Sequence, residues 1–198
     1  MPQPIDLLRR EHANIATLLR TLEWQVAAFK NDSLPDYEVI RATLDYFRSF
    51  PDTCHHPKED LIFARLRERD PAAAERIGDL QKAHEQLAAR LHDAAAGMRA
   101  VLDEVEVSRD AVVRWASDFI DQQRQHISME EALFLPAAER SLTAKDWSDL
   151  TAQLTKADDP LFGAQVSARF DQLRETILAW QAEDETASAA RQRHQPSR

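Results

Sequence analysis

The sequence predicts an all-α protein: an antiparallel up-down four-helix bundle followed by a C-terminal helical extension. Helix-forming residues dominate the composition, and only three glycines occur in 198 residues. Apolar residues recur at intervals of three and four along four long segments, which is the spacing of one helix face. The second half of the bundle also repeats the pattern of the first half, which indicates two similar helical hairpins.

Proline and capping residues set the expected helix boundaries. Pro51 and Pro57 lie inside the second helix and predict a bend there, because proline removes a backbone hydrogen bond. Asp70 and Ser108 are suitable caps for the third and fourth helices. The predicted helices span residues 5–30, 37–69, 71–103, 108–141, 143–155 and 166–184. We expect the bundle over residues 1–141, a two-helix extension over 142–184 and a disordered polar tail over 185–198.

Charge and composition limit the partners of the chain. The net charge is −9 and the sequence pI is about 5.3, which argues against binding to nucleic acid. No apolar run approaches the roughly 18 residues that a membrane span requires. No basic segment followed by an apolar one is visible at the N-terminus. The single cysteine, Cys54, excludes an internal disulfide and fits a reducing compartment. We therefore expect a cytoplasmic protein without a membrane or nucleic-acid partner.

The repeat consists of one histidine on the first helix of each hairpin and a His-x-x-x-Glu pair on the second. In the first hairpin these residues are His12, His55 and Glu59, and in the second they are His84, His126 and Glu130. The single histidines are 72 residues apart, and the two pairs are 71 residues apart. One such pair is a weak signal, but two copies at matching offsets within matching apolar stripes indicate a common site.

The spacing within each pair has a chemical meaning. Residues four apart on a helix share a face, so His-x-x-x-Glu directs an imidazole and a carboxylate the same way. Antiparallel packing of the two hairpins would then bring four imidazoles and two carboxylates together, a donor set suited to iron. Both carboxylates can bridge a pair of ions. We therefore predict two iron ions, oxo- or hydroxo-bridged, with positions open for a diatomic gas or peroxide.

The pattern resembles the haemerythrin-like HHE cation-binding family from residue 5 to about residue 141. The segments 55–60 and 126–136 are similar to the second-helix and fourth-helix signatures of that family. By this resemblance the iron ligands are His12, His55, Glu59, His84, His126 and Glu130. The resemblance implies roles in binding O2 or NO, in iron sensing, or in iron-centre repair or storage. Oxygen carriers of the family have a second histidine on the third helix, where this chain has Leu80 and Ala88, and reversible oxygen carriage is therefore less expected.

Two features of the site stay open at the level of sequence. His56 and Asp60 form a second His-x-x-x-acid pair, and the repeat favours His55 and Glu59 over them because these align with the second hairpin. Metal-bound histidines usually donate their other N–H to a carboxylate or a carbonyl. Three nearby carboxylates are candidates for this role: Glu11, Glu85 and Asp118.

The leading hypothesis is therefore a non-haem di-iron protein that binds or senses O2 or NO, or handles iron. The alternatives are a di-iron peroxidase or oxidase, and an interaction module that keeps the fold. An apolar stripe between Val166 and Trp180 either packs on the bundle of its own chain or forms a homodimer.

Overall fold

A computed structural model describes residues 4–31, 33–103, 107–154 and 159–193. All regular secondary structure in these residues is helical, which confirms the predicted all-α class. The α-helices are α1 (Pro4–Lys30), α2 (Tyr37–Ser49), α3 (His56–Arg69), α4 (Pro71–Ile77), α5 (Leu80–Leu102), α6 (Arg109–Met129), α7 (Leu135–Ser141), α8 (Ala144–Gln153) and α9 (Asp171–Arg193). Among the described helices, none combines the length and the apolar composition that crossing a membrane requires.

The predicted single helix over residues 71–103 is wrong, because Gly78 divides it into α4 and α5. The φ angle of Gly78 is 91°, a left-handed conformation that glycine adopts without a Cβ clash. Asp79 then starts α5 by accepting a hydrogen bond from the backbone N–H of Lys82. The apolar stripe continues on both sides of this break, so the periodicity alone does not reveal it.

Both His-x-x-x-Glu segments lie at π-type turns. One turn covers Pro51–His55 between α2 and α3, and it confirms the bend that the prolines predict. The second covers Glu130–Phe134 between α6 and α7, where the sequence predicts a continuous helix. Each turn is followed by a helix with a proline in its first turn, Pro57 or Pro136, whose nitrogen cannot donate a hydrogen bond. Pro136 was therefore the available signal for the second interruption.

The long helices enclose one interior with a polar layer across it. Helix α1 packs against α2 and α6, and α5 packs against the same two helices. Buried apolar side chains form two clusters, a larger one that includes Ile15 and Phe119 and a smaller one that includes Leu8 and Phe134. His12 lies between Leu8 and Ile15 on α1. The predicted metal ligands therefore separate the two apolar clusters.

The C-terminal extension contributes to both clusters. Leu150 of α8 belongs to the smaller cluster, and Phe170 and Leu173 belong to the larger one. The apolar stripe of α9 is thus used against the bundle of its own chain. Helix α9 also includes residues 185–193, which the sequence assigns to a tail, and residues 194–198 lie outside the described residues. Alanine, glutamine and arginine in this stretch are good helix formers.

Gly97 marks a close approach of α5 and α6. A Cβ at Gly97 would lie 2.2 Å from Cε3 of Trp115, well inside van der Waals contact. We expect Gly97→Ala to lower the free energy of unfolding. Overpacking costs about 1–3 kcal/mol, whereas alanine gains only about 1 kcal/mol over glycine in a helix. Thermal unfolding tests this. In a Trp115→Leu background the same substitution should no longer destabilise, and a Gly97→Ala protein that melts above wild type would contradict the contact.

Candidate metal centre

The six residues predicted from the repeat meet in the polar layer between the apolar clusters. His12 is on α1, His55 ends the first π-type turn, Glu59 is on α3, His84 is on α5, His126 is on α6 and Glu130 begins the second π-type turn. All six side chains are buried, and the exposed fraction of both glutamates is 0%. Buried ionisable groups are costly unless they are paired or coordinate a metal, so their convergence here needs a chemical explanation.

His12, His55 and Glu59 form the first group of possible metal donors. Nε2 of His12 lies 3.1 Å from Oε1 of Glu59, and Nε2 of His55 lies 3.3 Å from the same oxygen. The two imidazole rings are nearly perpendicular, with centroids 5.0 Å apart. Two ring nitrogens and one carboxylate oxygen therefore converge on one small volume.

The second group combines Glu59 with His84, His126 and a residue that the repeat had not selected, His56. Glu130 lies beside it. Nε2 of His126 is 3.0 Å from Oε1 of Glu130, and Nε2 of His84 is 3.6 Å from that oxygen. In both groups the donor atoms lie within 4.8 Å of one another. This spacing is close to that of donors that each lie about 2 Å from one ion.

The structure places both His55 and His56 at the centre, whereas the sequence analysis treats them as alternatives. His55 joins the first group and His56 joins the second, while Asp60 lies outside the centre. His56 stacks on His84 with ring centroids 4.1 Å apart and an interplanar angle of 11°. Residues three and four apart on a helix share a face. The histidines at both positions before Glu59 were thus a signal in the sequence for two donors rather than one.

Four of these histidines direct Nδ1 away from the centre toward a carboxylate. The pairs are His12 with Glu131 at 2.7 Å, His55 with Glu11 at 2.8 Å, His84 with Asp60 at 3.0 Å and His56 with Asp52 at 3.4 Å. Such contacts fix the ring orientation and leave Nε2 to face the centre. Of these four carboxylates, the sequence predicts only Glu11 for this role, and it offers Asp60 as an alternative ligand instead.

The charges of the centre hold protons on two histidines. Burial alone would lower the pKa of His12, but the nearby carboxylates of Glu130 and Glu59 raise it to about 11. Burial likewise opposes protonation of His84, yet Asp60 and the two central glutamates raise its pKa to about 11. In the absence of a metal ion, these two imidazolium groups provide the positive charge that balances the central carboxylates.

The other groups shift in the directions that a metal-binding set requires. Burial and the charge of Glu130 would raise the pKa of Glu59, but the surrounding histidines lower it to about 2. The same kind of contact lowers the pKa of Glu130 well below its usual value, against the effect of burial. Burial lowers the pKa of His56, so its ring is neutral at pH 7. Metal ligation needs deprotonated carboxylates and neutral imidazoles.

The hydrogen bonding of the centre is incomplete in a way that fits a cation. Six buried side-chain atoms make no contact of hydrogen-bond geometry among the described residues, although Nε2 of His126 and Oε1 of Glu130 are only 3.0 Å apart. They are Nε2 of His56, His84 and His126, Oε2 of Glu59, and both carboxylate oxygens of Glu130. Unpaired buried polar atoms are rare in proteins, and each one calls for an explanation. Because these atoms converge in one place, a bound metal ion is the simplest explanation. Neutral imidazole nitrogen and carboxylate oxygen are both suitable ligands for iron.

The family model of the hemerythrin HHE cation binding domain matches residues 3–138. The chain belongs to the hemerythrin HHE cation-binding family. Membership confirms the resemblance that the His-x-x-x-Glu repeat indicated, and the match includes α1 to α6 and the first residues of α7. No significant match was found among curated proteins or among solved structures. Family membership and the two histidine–glutamate groups together support cation binding by this HHE domain.

Proposed function

We propose that this protein is a di-iron protein, built as an antiparallel four-helix bundle, that binds or senses a small ligand such as O2 or NO. In this proposal His12, His55 and Glu59 hold one iron ion. His56, His84 and His126 hold the other, and the carboxylates of Glu59 and Glu130 are shared. The observation that carries the proposal is the set of six buried, unpaired nitrogen and oxygen atoms at the centre.

The two subsites are unequal, which supports ligand binding as the role. One has two histidines and the other has three. The subsite with fewer protein donors, formed by His12, His55 and Glu59, is the one expected to keep a position open, as catalytic and ligand-binding metal sites do. A pair of iron ions would supply electron exchange and affinity for a diatomic ligand or peroxide. The protein orients the imidazoles and excludes bulk water with its buried surroundings.

Iron content tests the proposal directly. After anaerobic loading, wild-type protein should hold about two iron ions per chain and should show an absorption change when NO or O2 is added. Iron content near zero would refute the proposal. Steady-state consumption of peroxide with a reductant would instead support the peroxidase or oxidase alternative.

His56→Ala tests the division of the donors into two subsites. We expect this variant to hold about one iron ion per chain, because the three-histidine subsite loses a donor while the other subsite stays complete. His92→Ala is the matched control, since His92 is an exposed histidine on α5. Metal analysis beside a thermal unfolding curve provides the measurement. Full iron content in His56→Ala would restore the assignment of His55 alone.

A further inference from the structure

A buried lysine, Lys58, lies beside the proposed centre and is one contact removed from it. Lys58 follows His56 by two residues on α3, and only 2% of its surface is exposed. Its ammonium group donates a hydrogen bond to Oε1 of Glu11, on α1, and lies 5.4 Å from the ring centroid of Phe50. A buried ammonium group is strongly destabilising unless it is paired. An apolar side chain of similar size would fill the same space without this cost, so the buried charge of Lys58 calls for an explanation.

The partner of Lys58 is also the partner of a proposed metal ligand. The second oxygen of Glu11, Oε2, lies 2.8 Å from Nδ1 of His55. Nε2 of His55 in turn faces Glu59 at 3.3 Å. Lys58, Glu11 and His55 therefore form a buried chain of contacts that ends at the two-histidine subsite.

Glu11 is held as a carboxylate within this chain. Its Oε1 accepts from Nζ of Lys58 and its Oε2 faces Nδ1 of His55, and two donors on the two oxygens suit a carboxylate rather than a carboxylic acid. A carboxylate that accepts Nδ1–H makes an imidazole a stronger electron donor to a metal. How strongly Glu11 does this depends on whether its own charge is neutralised, and Lys58 is the cation that neutralises it.

The second histidine of the same subsite provides an internal comparison. His12 directs Nδ1 to Glu131, and Glu131 lies 3.6 Å from Nε of Arg9. The order of groups is the same, cation, carboxylate and histidine. However, the side chains of Arg9 and Glu131 are 40% and 36% exposed, so that water and salt screen their charges. In this subsite, His55 therefore contacts a buried carboxylate–cation pair, whereas His12 contacts a partly exposed carboxylate–cation pair.

We propose that Lys58 is a positioning residue that sets the reduction potential of the two-histidine subsite by neutralising Glu11. This inference rests on the proposed di-iron function. With Lys58 present, the negative charge of Glu11 beside His55 is balanced by the ammonium group. Without it, the full charge of Glu11 acts on His55 in a medium of low dielectric constant, where charges interact strongly. The more positive, oxidised state of the iron is then stabilised, and the potential falls.

The experiment compares Lys58→Met with Arg9→Met in iron-loaded protein by spectroelectrochemical titration. At the potential where wild type is half reduced, Lys58→Met should have a ratio of oxidised to reduced centre at least tenfold higher, which corresponds to about 59 mV for one electron. Arg9→Met should change the ratio less than twofold, because its charge is screened. Lys58→Arg should restore the wild-type ratio, since it keeps the cation.

A second variant separates tuning from folding. The double variant Lys58→Met, Glu11→Gln removes both charges of the pair and leaves His55 a neutral acceptor, so its ratio should return to within about twofold of wild type. If Lys58→Met does not fold, Glu11→Gln alone carries the test: it leaves the charge of Lys58 unopposed and should lower the ratio of oxidised to reduced centre at least tenfold, and an unchanged ratio would overturn the proposal. A double variant with the same downward shift would overturn the proposal. Equal potentials in wild type, Lys58→Met and Arg9→Met at full iron content would also overturn it, yet leave the di-iron centre standing. A wild-type protein that binds no iron refutes the proposed function itself.

Discussion

Replacing Glu59 with glutamine is expected to weaken metal binding at both subsites by more than about 100-fold, because this one side chain belongs to both donor groups. Its Oε1 faces His12 and His55, and its Oε2 faces His84 at 3.5 Å. Glutamine keeps the volume of the side chain but loses the negative charge. Of its two terminal atoms, only one remains an acceptor. Neither ion would then receive an anionic oxygen from this position.

Asp60→Asn is the matched control for Glu59→Gln, since the two residues are adjacent on α3. Asp60 accepts from Nδ1 of His84 at the outside of the centre. Loss of such an outer partner costs about 10–100-fold in affinity. Competition with a chelator during anaerobic Fe(II) titration ranks the variants. If Glu59→Gln retained one tightly bound ion, Glu59 would serve a single subsite and the shared role would fall to Glu130.

The sequence predicted the centre better than it predicted the helices around it. A fixed offset between two sets of three predicted ligands does not depend on the exact loop and helix boundaries, because it reflects the pairing of two similar hairpins. The repeat therefore located six of the seven residues that the structure brings together. The repeat did not identify His56, because the second hairpin has Ile127 at the equivalent position. A comparison of the two hairpins therefore cannot predict that one proposed subsite has an additional histidine.

Local backbone effects account for the differences in the helices. The break at Gly78 depends on a left-handed φ that the continuous apolar stripe conceals. The π-type turn at Glu130–Phe134 depends on Pro136 two residues later, a signal easily absorbed into a long helical pattern. The carboxylates that contact Nδ1 of the histidines are the most difficult to predict from the sequence, because contacts such as that of His12 with Glu131 join residues 119 apart in the chain. Their pairing follows from packing geometry rather than from spacing.

The metal-free protein should become less stable as the pH rises from about 6.5 toward 11. The folded-state pKa values of His12 and His84 are both raised to about 11 by the carboxylates around them, although burial opposes this. An unfolded chain releases the same protons near pH 6.5. Between these values the folded state binds more protons than the unfolded state, so raising the pH favours unfolding. Below pH 6.5 this contribution to stability is fully present.

Glu59 has the opposite effect at acid pH: its contribution to stability is lost as the pH falls. Its folded-state pKa is lowered to about 2, against burial and the charge of Glu130, because the surrounding histidines stabilise the carboxylate. This contribution is present above the unfolded pKa of about 4.3 and is lost as the pH falls through 2. The metal-free centre therefore stabilises the fold most between about pH 4.3 and pH 6.5.

Melting temperatures of metal-free wild type and metal-free Glu59→Gln from pH 5 to pH 10 isolate this effect from the other titrating groups. One proton gives about 1.4 kcal/mol per pH unit, which for a chain of this size is a fall of roughly 3–6 °C per pH unit. The slope should be shallower in Glu59→Gln, because the variant lacks a charge that raises both histidine pKa values. Parallel slopes in the two proteins would show that Glu59 does not hold protons on the histidines. With iron bound, cations replace those protons, and the alkaline loss of stability should largely disappear.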